Sequence, residues 1–408
     1  MSSFVDLGQF GTPTRDLVLR WRGVEAGRLS TAFLDEALPT PVREAVFEHA
    51  MPRPRPATWS PPPLRDTLTK LLGHPNIASK HWIVRQYDHE VQGGSVVKAL
   101  VGPSQEGPGD AAVVRPVHGS TRGLAIANGL CTGLRDDPYL MALAAIDECV
   151  RNLVCVGADP SRIAILDNFS WPSCKDPRNL GALVRAAEGC YDGAKAYRTP
   201  FVSGKDSLNN QFVTEEGEVI AIPPTLLVSG MAIVDDVRRC VTSDLKGAGS
   251  ILVLVGPRSM TLRGSQVGRI FGCDFGDLPA VDRVAGPAIA RAVAAAIAAG
   301  LVRSAHDASE GGLLVAVAEM CIGGGVGAEL ELREAAETER FAALFGETPS
   351  RYVLEVAPGD LTELRARLGD LPHETIGRTV STPDLVLAGG FRAPVDELRR
   401  AWREPLDW

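Results

Sequence analysis

Residues 138–160, PYLMALAAIDECVRNLVCVGADP, read as one helix, and the chemistry carried elsewhere in the chain is placed around it. Tyr139, Leu143, Ile146, Val150, Leu153 and Val154 fall on one side of a helical wheel, an apolar stripe at helical spacing. The opposite side carries Met141, Ala144, Ala145, Glu148, Asn152 and Cys155. Glu148 and Asn152 stand four apart, so their side chains lie one turn above each other. The alanines a turn below leave room for a ligand or another backbone. Asp147 and Arg151 flank that face and can pair at the same spacing. A carboxylate and an amide oxygen stacked in this way are hard ligands of the type Mg²⁺ accepts. The same pattern suits a solvated polar face on an amphipathic helix, and the helix alone leaves both readings open.

At 408 residues the chain is too long for one typical core, which predicts two domains with additions. The net charge of −8 argues against a nucleic-acid-binding surface, and no block of like charge forms a tail. Only seven lysines occur, so a lysine inside a glycine-containing loop stands out. The eight cysteines show no CxxC pair and no zinc spacing, which fits a reduced, cytoplasmic protein. The N-terminus has no apolar run of signal-peptide type. The longest apolar stretch, Ala288 to Gly300, contains Arg291 and is too short to span a bilayer.

Residues 1–50 read as a strand pair and a short helix with too little apolar area for a core of their own. MPRPRPATWSPPP (51–63) follows, an extended, semi-rigid stretch of the type that joins domains. The boundaries drawn from this are a remnant of a preceding domain with its linker at 1–62, a first domain at 63–236 and a second at 237–408. In the first domain AAVVRPV and RGLAIANG read as paired strands, SRIAILDNF as a buried strand and Asn179–Tyr197 as a helix. PFVSG and TLLVSGMAIV are further strands. In the second, SILVLVGP, RYVLEV and PDLVLAGG are strands, with helices at Val281–Ala299, Gly311–Cys321 and Asp360–Leu368. The fold class is α/β (α+β), two α/β sandwiches in series.

Four segments hold polar residues that a merely structural role does not need. GPGDAAVVRP places Asp110 at the mouth of an apolar strand, where a turn residue is the ordinary explanation. AILDNFSW ends a buried strand on Asp167 and Asn168, at the kind of strand end where α/β folds bind ligands. PFVSGKDSLNNQF offers Gly204 for close backbone approach, Lys205 as a cation and Ser207 as a donor, a set suited to phosphate or to a polar hairpin. It is not a Walker A loop, because Thr199 stands where the first glycine is required. SAHDASEGGLLVAVAEM sets Ser309, Glu310 and two glycines before a helix, with His306 and Asp307 at its positive end.

HDASEGGLLVAVAEM resembles the HDxSxGGL signature of the aminoimidazole-ribonucleotide-synthetase-like ATP-binding superfamily. YDHEVQ (87–92), GDAAVV (109–114), DECVRNLVCVGADP (147–160), SGKDSLNN (203–210), PPTLLVSG (223–230) and LFGETPSRYVLEV (344–356) narrow the likeness to the second half of the phosphoribosylformylglycinamidine (FGAM) synthase family. LRGS at 262–265 resembles the family's LGGS loop, with Arg263 in place of a glycine. The resemblance implies an ATP-dependent C–N ligase of purine synthesis. ATP would activate the amide oxygen of formylglycinamide ribonucleotide, and ammonia would displace phosphate. It also implies a role for each matching residue. Asp110, Glu148, Asn152 and Asp307 would bind Mg²⁺. Asp167, Gly204 and Ser309 would contact ATP or ADP, and Ser207 the substrate. Lys205, an asparagine metal ligand in some members, would touch phosphate oxygens instead. His306 is the only histidine among the main nucleotide-site motifs and the candidate for a catalytic role.

The family carries two such halves, whose first domains pair through a shared barrel. In this chain residues 10–40 resemble only the tail of the first half, and neither the first half's histidine segment nor a glutaminase domain is present. The resemblance therefore implies a half that holds Mg-nucleotide and completes a site with a first-half chain, a separate glutaminase subunit supplying ammonia. A self-contained homodimeric ATP-dependent kinase or synthetase and a non-catalytic nucleotide-stabilised scaffold are the other two readings.

Overall fold

The stretch TLLVSGMAIV alternates side chains between two environments, and in the structure it becomes Thr225–Val234, a strand flanked on both edges. The structure is a computed structural model that describes residues 6–11, 13–36, 41–332 and 336–407. The chain divides into two units, residues 1–44 and residues 45–408. In the first, Asp16–Trp21 and Val24–Ser30 pair as an antiparallel hairpin, followed by the helix Thr31–Glu36. Arg22 and Gly23 at the tip both have positive φ, the backbone of a two-residue hairpin turn.

In the second unit the first sheet runs in the order Ser95–Val97, Ala112–Val114, Gly123–Gly129, Thr225–Val234, Ile163–Ser170, Phe201–Ser207. All neighbours are antiparallel except the last pair, which the helix Pro177–Tyr197 connects as a parallel crossover. The helices Pro138–Cys155 and Pro177–Tyr197 pack together on one face, over Val113, Ala125, Ile165, Leu226 and Val228. The opposite face is apolar yet open. Met231 and Ile126 lie directly across from each other at 47% and 43% exposure, and Leu166 is 38% exposed.

The second sheet is ordered Val302–Asp307, Tyr352–Val356, Ile251–Val255, His373–Val380, Gly327–Leu330, Asp384–Leu387, Phe391–Pro394. Ala285–Ala298 and Leu361–Leu368 cover one face, and their core is continuous with that of the first sheet. Gly312–Gly324, Glu337–Phe345 and Val395–Arg403 belong to the core on the other face. The helix Leu64–Leu72 packs into this second core, through Leu68, Leu71 and Leu72, beside Trp402. The proline-rich stretch before it is bound to the body. Val46 N–H donates to Pro177 O at 2.9 Å, Arg53 and Gly276 exchange backbone hydrogen bonds, and Trp59 meets Phe275 and Phe341 edge-on. Arg263, the glycine replacement, explains part of that: its guanidinium donates to Met51 O and lies 3.3 Å from Asp136 Oδ2. No helix among the described residues is long and apolar enough to cross a membrane.

The open face of the first sheet exposes apolar side chains of the kind that association surfaces bury, which predicts self-association. The purified chain is expected to sediment above monomer mass at micromolar concentration, and Ile126→Lys with Met231→Lys to shift it to monomer. An unaltered chain that stays monomeric would remove this role.

Candidate metal and nucleotide site

The helix at Pro138–Cys155 starts where the sequence says it must. Asp137 accepts hydrogen bonds from the N–H groups of Tyr139 and Leu140 at 3.1 and 3.4 Å, and Pro138 fills the first turn. It is buried almost all round, Glu148 included at 6% exposure, so the solvated-face reading does not hold. The space beside its alanines is filled by a strand: a Cβ on Gly129 would collide with the carbonyl of Ala145.

Asp147 and Arg151 pair inside the helix, as their spacing allows, and Arg151 also reaches Asp307 Oδ2 at 3.2 Å in the second domain. Asp147 further accepts from Tyr197 Oη, from Ser350 N–H at 2.9 Å and from Ser350 Oγ at 2.6 Å. Ser350 holds a positive φ of 61°, a strained conformation that these two bonds help fix.

Beside this bridge lies a cavity of about 260 Å³ lined by residues of both domains. It collects Asp110 from the loop before Ala112–Val114, Glu148 and Asn152 from the helix, His306 and Asp307 from the end of Val302–Asp307, and Ser309 and Glu310 from the turn that follows. Asp110, His306 and Asp307 bring one potential ligand atom each to within 4.8 Å of one another. The four residues expected to ligate share a pattern, in which one polar atom is held by the protein and another is left over. Asp110 Oδ1 accepts from His306 Nδ1 at 2.8 Å and from Asp307 N–H at 3.1 Å, while its buried Oδ2 has no partner among the described residues. Asp307 Oδ2 is held by Arg151, and among the described residues Oδ1 has only the Ser309 hydroxyl, at 3.4 Å, within hydrogen-bonding range. Glu148 Oε2 accepts Leu130 N–H at 2.6 Å and lies 3.6 Å from Cys131 Sγ; Oε1 makes no hydrogen bond among the described residues. Asn152 Nδ2 donates to Asn128 O at 2.9 Å, which leaves its carbonyl oxygen. Hard, monodentate oxygens of this kind fit Mg²⁺.

The electrostatics point the same way. Burial pushes Glu148 and Asp307 each up to about 7, with Glu310 adding to the first and Arg151 opposing in the second. Burial together with Glu347 and Asp307 takes Glu310 to about 8. A divalent cation would relieve this crowding of carboxylates. His306 is the exception. Burial would lower it, but Asp110 and Glu319, 2.8 and 3.3 Å away on its two nitrogens, hold it well above its ordinary value. Both its nitrogens lie against carboxylates, and its visible work is to orient Asp110.

Asp167, Gly204, Lys205 and Ser207 sit elsewhere. Parallel pairing of Ile163–Ser170 with Phe201–Ser207 sets Asp167 opposite Gly204, where a Cβ would strike the carboxylate. Lys205 is exposed and donates to Ser207 Oγ. None of the four lines the carboxylate cavity, whereas Ser309 does. Sequence reasoning missed three residues. Lys80 is lowered by burial despite the carboxylates of Glu319 and Glu310, and as one of few lysines it gave some signal. Glu319 braces His306, and Glu347 Oε1 accepts from both Gln266 N–H and Gly311 N–H at 2.7 Å, tying the LRGS loop to the turn at Gly311. A larger groove of about 590 Å³ beside Pro160 and Ala294–Ala298 is lined mainly by small apolar residues, and Asp235 and Asp236 there are paired with Arg162 and Arg238.

A carboxylate cleft between two α/β domains, closed by a glycine turn at a helix N-terminus, has the donor types that suit a metal and a phosphate-bearing ligand. Residues 108–232 match the N-terminal domain of AIR synthase related proteins and residues 247–389 their C-terminal domain, and the chain belongs to this family of ATP-using enzymes. It is 36% identical over 407 residues to phosphoribosylformylglycinamidine synthase subunit PurL of Deinococcus radiodurans, covering 95% of this chain and 52% of that protein. The corresponding subunit of Alkaliphilus metalliredigens is 34% identical over 354 residues, covering 85% and 45%. The chain thus spans about half the length of the curated relatives it matches. Among solved structures, T. maritima PurL complexed with FGAR gives a TM-score of 0.61 at 19% identity, covering 83% of this chain and 54% of that one. T. maritima PurL complexed with ADP gives 0.59 at 18%, covering 83% and 52%. At these identities the structures speak for the fold, which agrees with the α/β architecture read from the sequence.

Glu148 and Asp307 hold protons up to about pH 7 without metal and ligate only as carboxylates. Both are raised, so Mg²⁺ must displace their protons at lower pH, and its affinity should grow roughly tenfold per ligand from about pH 6 to about pH 8. Calorimetric Mg²⁺ titrations at the two pH values check this, with equal affinities counting against both ligands.

Proposed function

We propose that this chain is the second half of the synthetase part of an FGAM synthase, a ligase of purine biosynthesis, and that it acts in the cytoplasm. The observation that carries the reading is the set Asp110, Glu148, Asn152 and Asp307, drawn from separate elements, each with one polar atom fixed and one available. These four would hold Mg²⁺, whose part is to neutralise nucleotide phosphates. Ser309 lines the same cavity, and the half-buried Lys80 feels the charges of Glu319 and Glu310 that line it, which supports a role for both toward phosphate. Asp167, Gly204 and Lys205 are assigned to the nucleotide and Ser207 to the substrate on their sequence motif, with support from the close approach of Gly204 to Asp167.

The family likeness to PurL extends this to the reaction. ATP and formylglycinamide ribonucleotide are the substrates, with ammonia as the nitrogen donor. A first-half chain or a second copy meets the open face of the first sheet, and a separate glutaminase subunit delivers the ammonia. Amide activation and displacement require substrate amide, phosphoryl group and ammonia within reacting distance. The residues described here form one wall of such a site. His306, with both nitrogens engaged, does not supply the missing acid–base group.

Calorimetry with Mg-ADP tests the binding part, with Glu148→Ala as comparison. Binding is expected only with metal and is expected to be lost in the variant; equal binding in both would sink the metal assignment. The catalytic part is tested by ADP release dependent on formylglycinamide ribonucleotide and ammonium. Turnover is expected when a first half is co-expressed and absent from the chain alone. Substrate-dependent turnover by the chain alone would replace the half-enzyme reading with a self-contained homodimer.

A further inference from the structure

We propose that Asp147, which takes no direct part in the cavity, is a positioning residue that sets the ligand geometry of Asp307 through Arg151. The inference rests on the metal reading above and adds to it the residues that make the site selective. Four donors converge on the Asp147 carboxylate: Arg151 and Ser350 N–H on Oδ2, Tyr197 Oη and Ser350 Oγ on Oδ1. They come from the helix itself, from the end of the neighbouring helix Pro177–Tyr197, and from the loop before Tyr352–Val356 in the second domain. Asp147 is 1% exposed and saturated with donors, a fixed point rather than a ligand.

Its effect is carried by the fork of Arg151. One terminal nitrogen is committed to Asp147, and the other meets Asp307 Oδ2 at 3.2 Å. That contact occupies one carboxylate oxygen and leaves Oδ1 as the single ligand atom. A guanidinium holds two carboxylates at a set separation and angle, which an ammonium cannot do. Without Asp147 the same guanidinium would be drawn toward Glu148, whose charge it already feels, and Asp307 would be free to turn or to bind through both oxygens. Mg²⁺ requires near-octahedral monodentate ligation, whereas Ca²⁺ accepts bidentate carboxylates and variable geometry. The Asp147–Arg151 pair is therefore a device for discriminating between the two ions.

The test is calorimetric titration of the full chain with Mg²⁺ alone and Ca²⁺ alone, for the unaltered protein, Asp147→Asn and Arg151→Lys. Mg²⁺ affinity is expected to fall about 10- to 100-fold in both variants, the usual range for an outer-shell partner, and Ca²⁺ affinity to fall markedly less. Arg151→Lys keeps the charge, so a loss of discrimination there assigns the effect to the fork. Tyr197→Phe and Ser350→Gly, which remove one donor each and retain the backbone, serve if Asp147→Asn does not fold, and should shift the ratio the same way by less. Parallel loss of both ions, or no change in either, would overturn the positioning role. Failure of the unaltered chain to bind either ion would instead defeat the metal reading itself, and is told apart because it needs no variant.

Discussion

A buried arginine between two aspartates, one from its own helix and one from the other domain, is the constraint on which this structure depends. Asp147 and Arg151 meet one turn apart on the helix, and Arg151 reaches Asp307 across the domain boundary. Charges withdrawn from water at 1–6% exposure tolerate no loose geometry, because an unpartnered one costs several kcal/mol, roughly 3–5, when its pair is broken. Tyr197 and Ser350 complete the set, the latter at a positive φ that is held by its two bonds to Asp147. The apolar cores of the two sheets run together around this bridge, so that burial brings the domains together and the ion pairs fix their register.

The site is the by-product of that register. Carboxylates from three elements end up beside one another with too few cations among them, and burial holds Glu148, Asp307 and Glu310 partly protonated near neutrality. A fold selected for stability alone would replace such groups with apolar ones. Their neighbours prepare them instead: His306 with Glu319 for Asp110, the Leu130 N–H for Glu148, and the Asn128 carbonyl for Asn152. Glu347 and Arg351 do similar work on the loops, one bridging Gln266 and Gly311, the other bonding the carbonyls of Gly346 and Thr348.

The chain spans about half the length of the curated relatives it matches, and its first sheet exposes an apolar face. The proline-rich stretch, which by composition reads as a spacer, is bound along the body by Arg53, Trp59 and the guanidinium of Arg263. Arg263 thus has a definite task, bracing loop against strap.

Much of this could be read from the sequence, because periodicity and caps are local. The helix read over 138–160, which ends at Cys155 in the structure, and the strands at 163–170, 225–234 and 352–356 follow from side-chain spacing and the flanking glycines and prolines. The pairing of Asp147 with Arg151 follows from a separation of four, and the family from motifs such as HDASEGGL. What sequence alone did not decide was the state of each group once enclosed. A helix face with Glu148 and Asn152 reads as solvated or as ligating, and only packing against Gly129 and the second domain buries it. His306 reads as a catalytic candidate until Asp110 and Glu319, 196 and 13 residues away, occupy both its nitrogens. Lys205 reads as touching phosphate oxygens, yet it is exposed and lies outside the lining of the carboxylate cavity that Ser309 enters. Local spacing fixes which residues share a face; desolvation and partnership, which set charge and ligand capacity, depend on contacts between residues far apart in the chain.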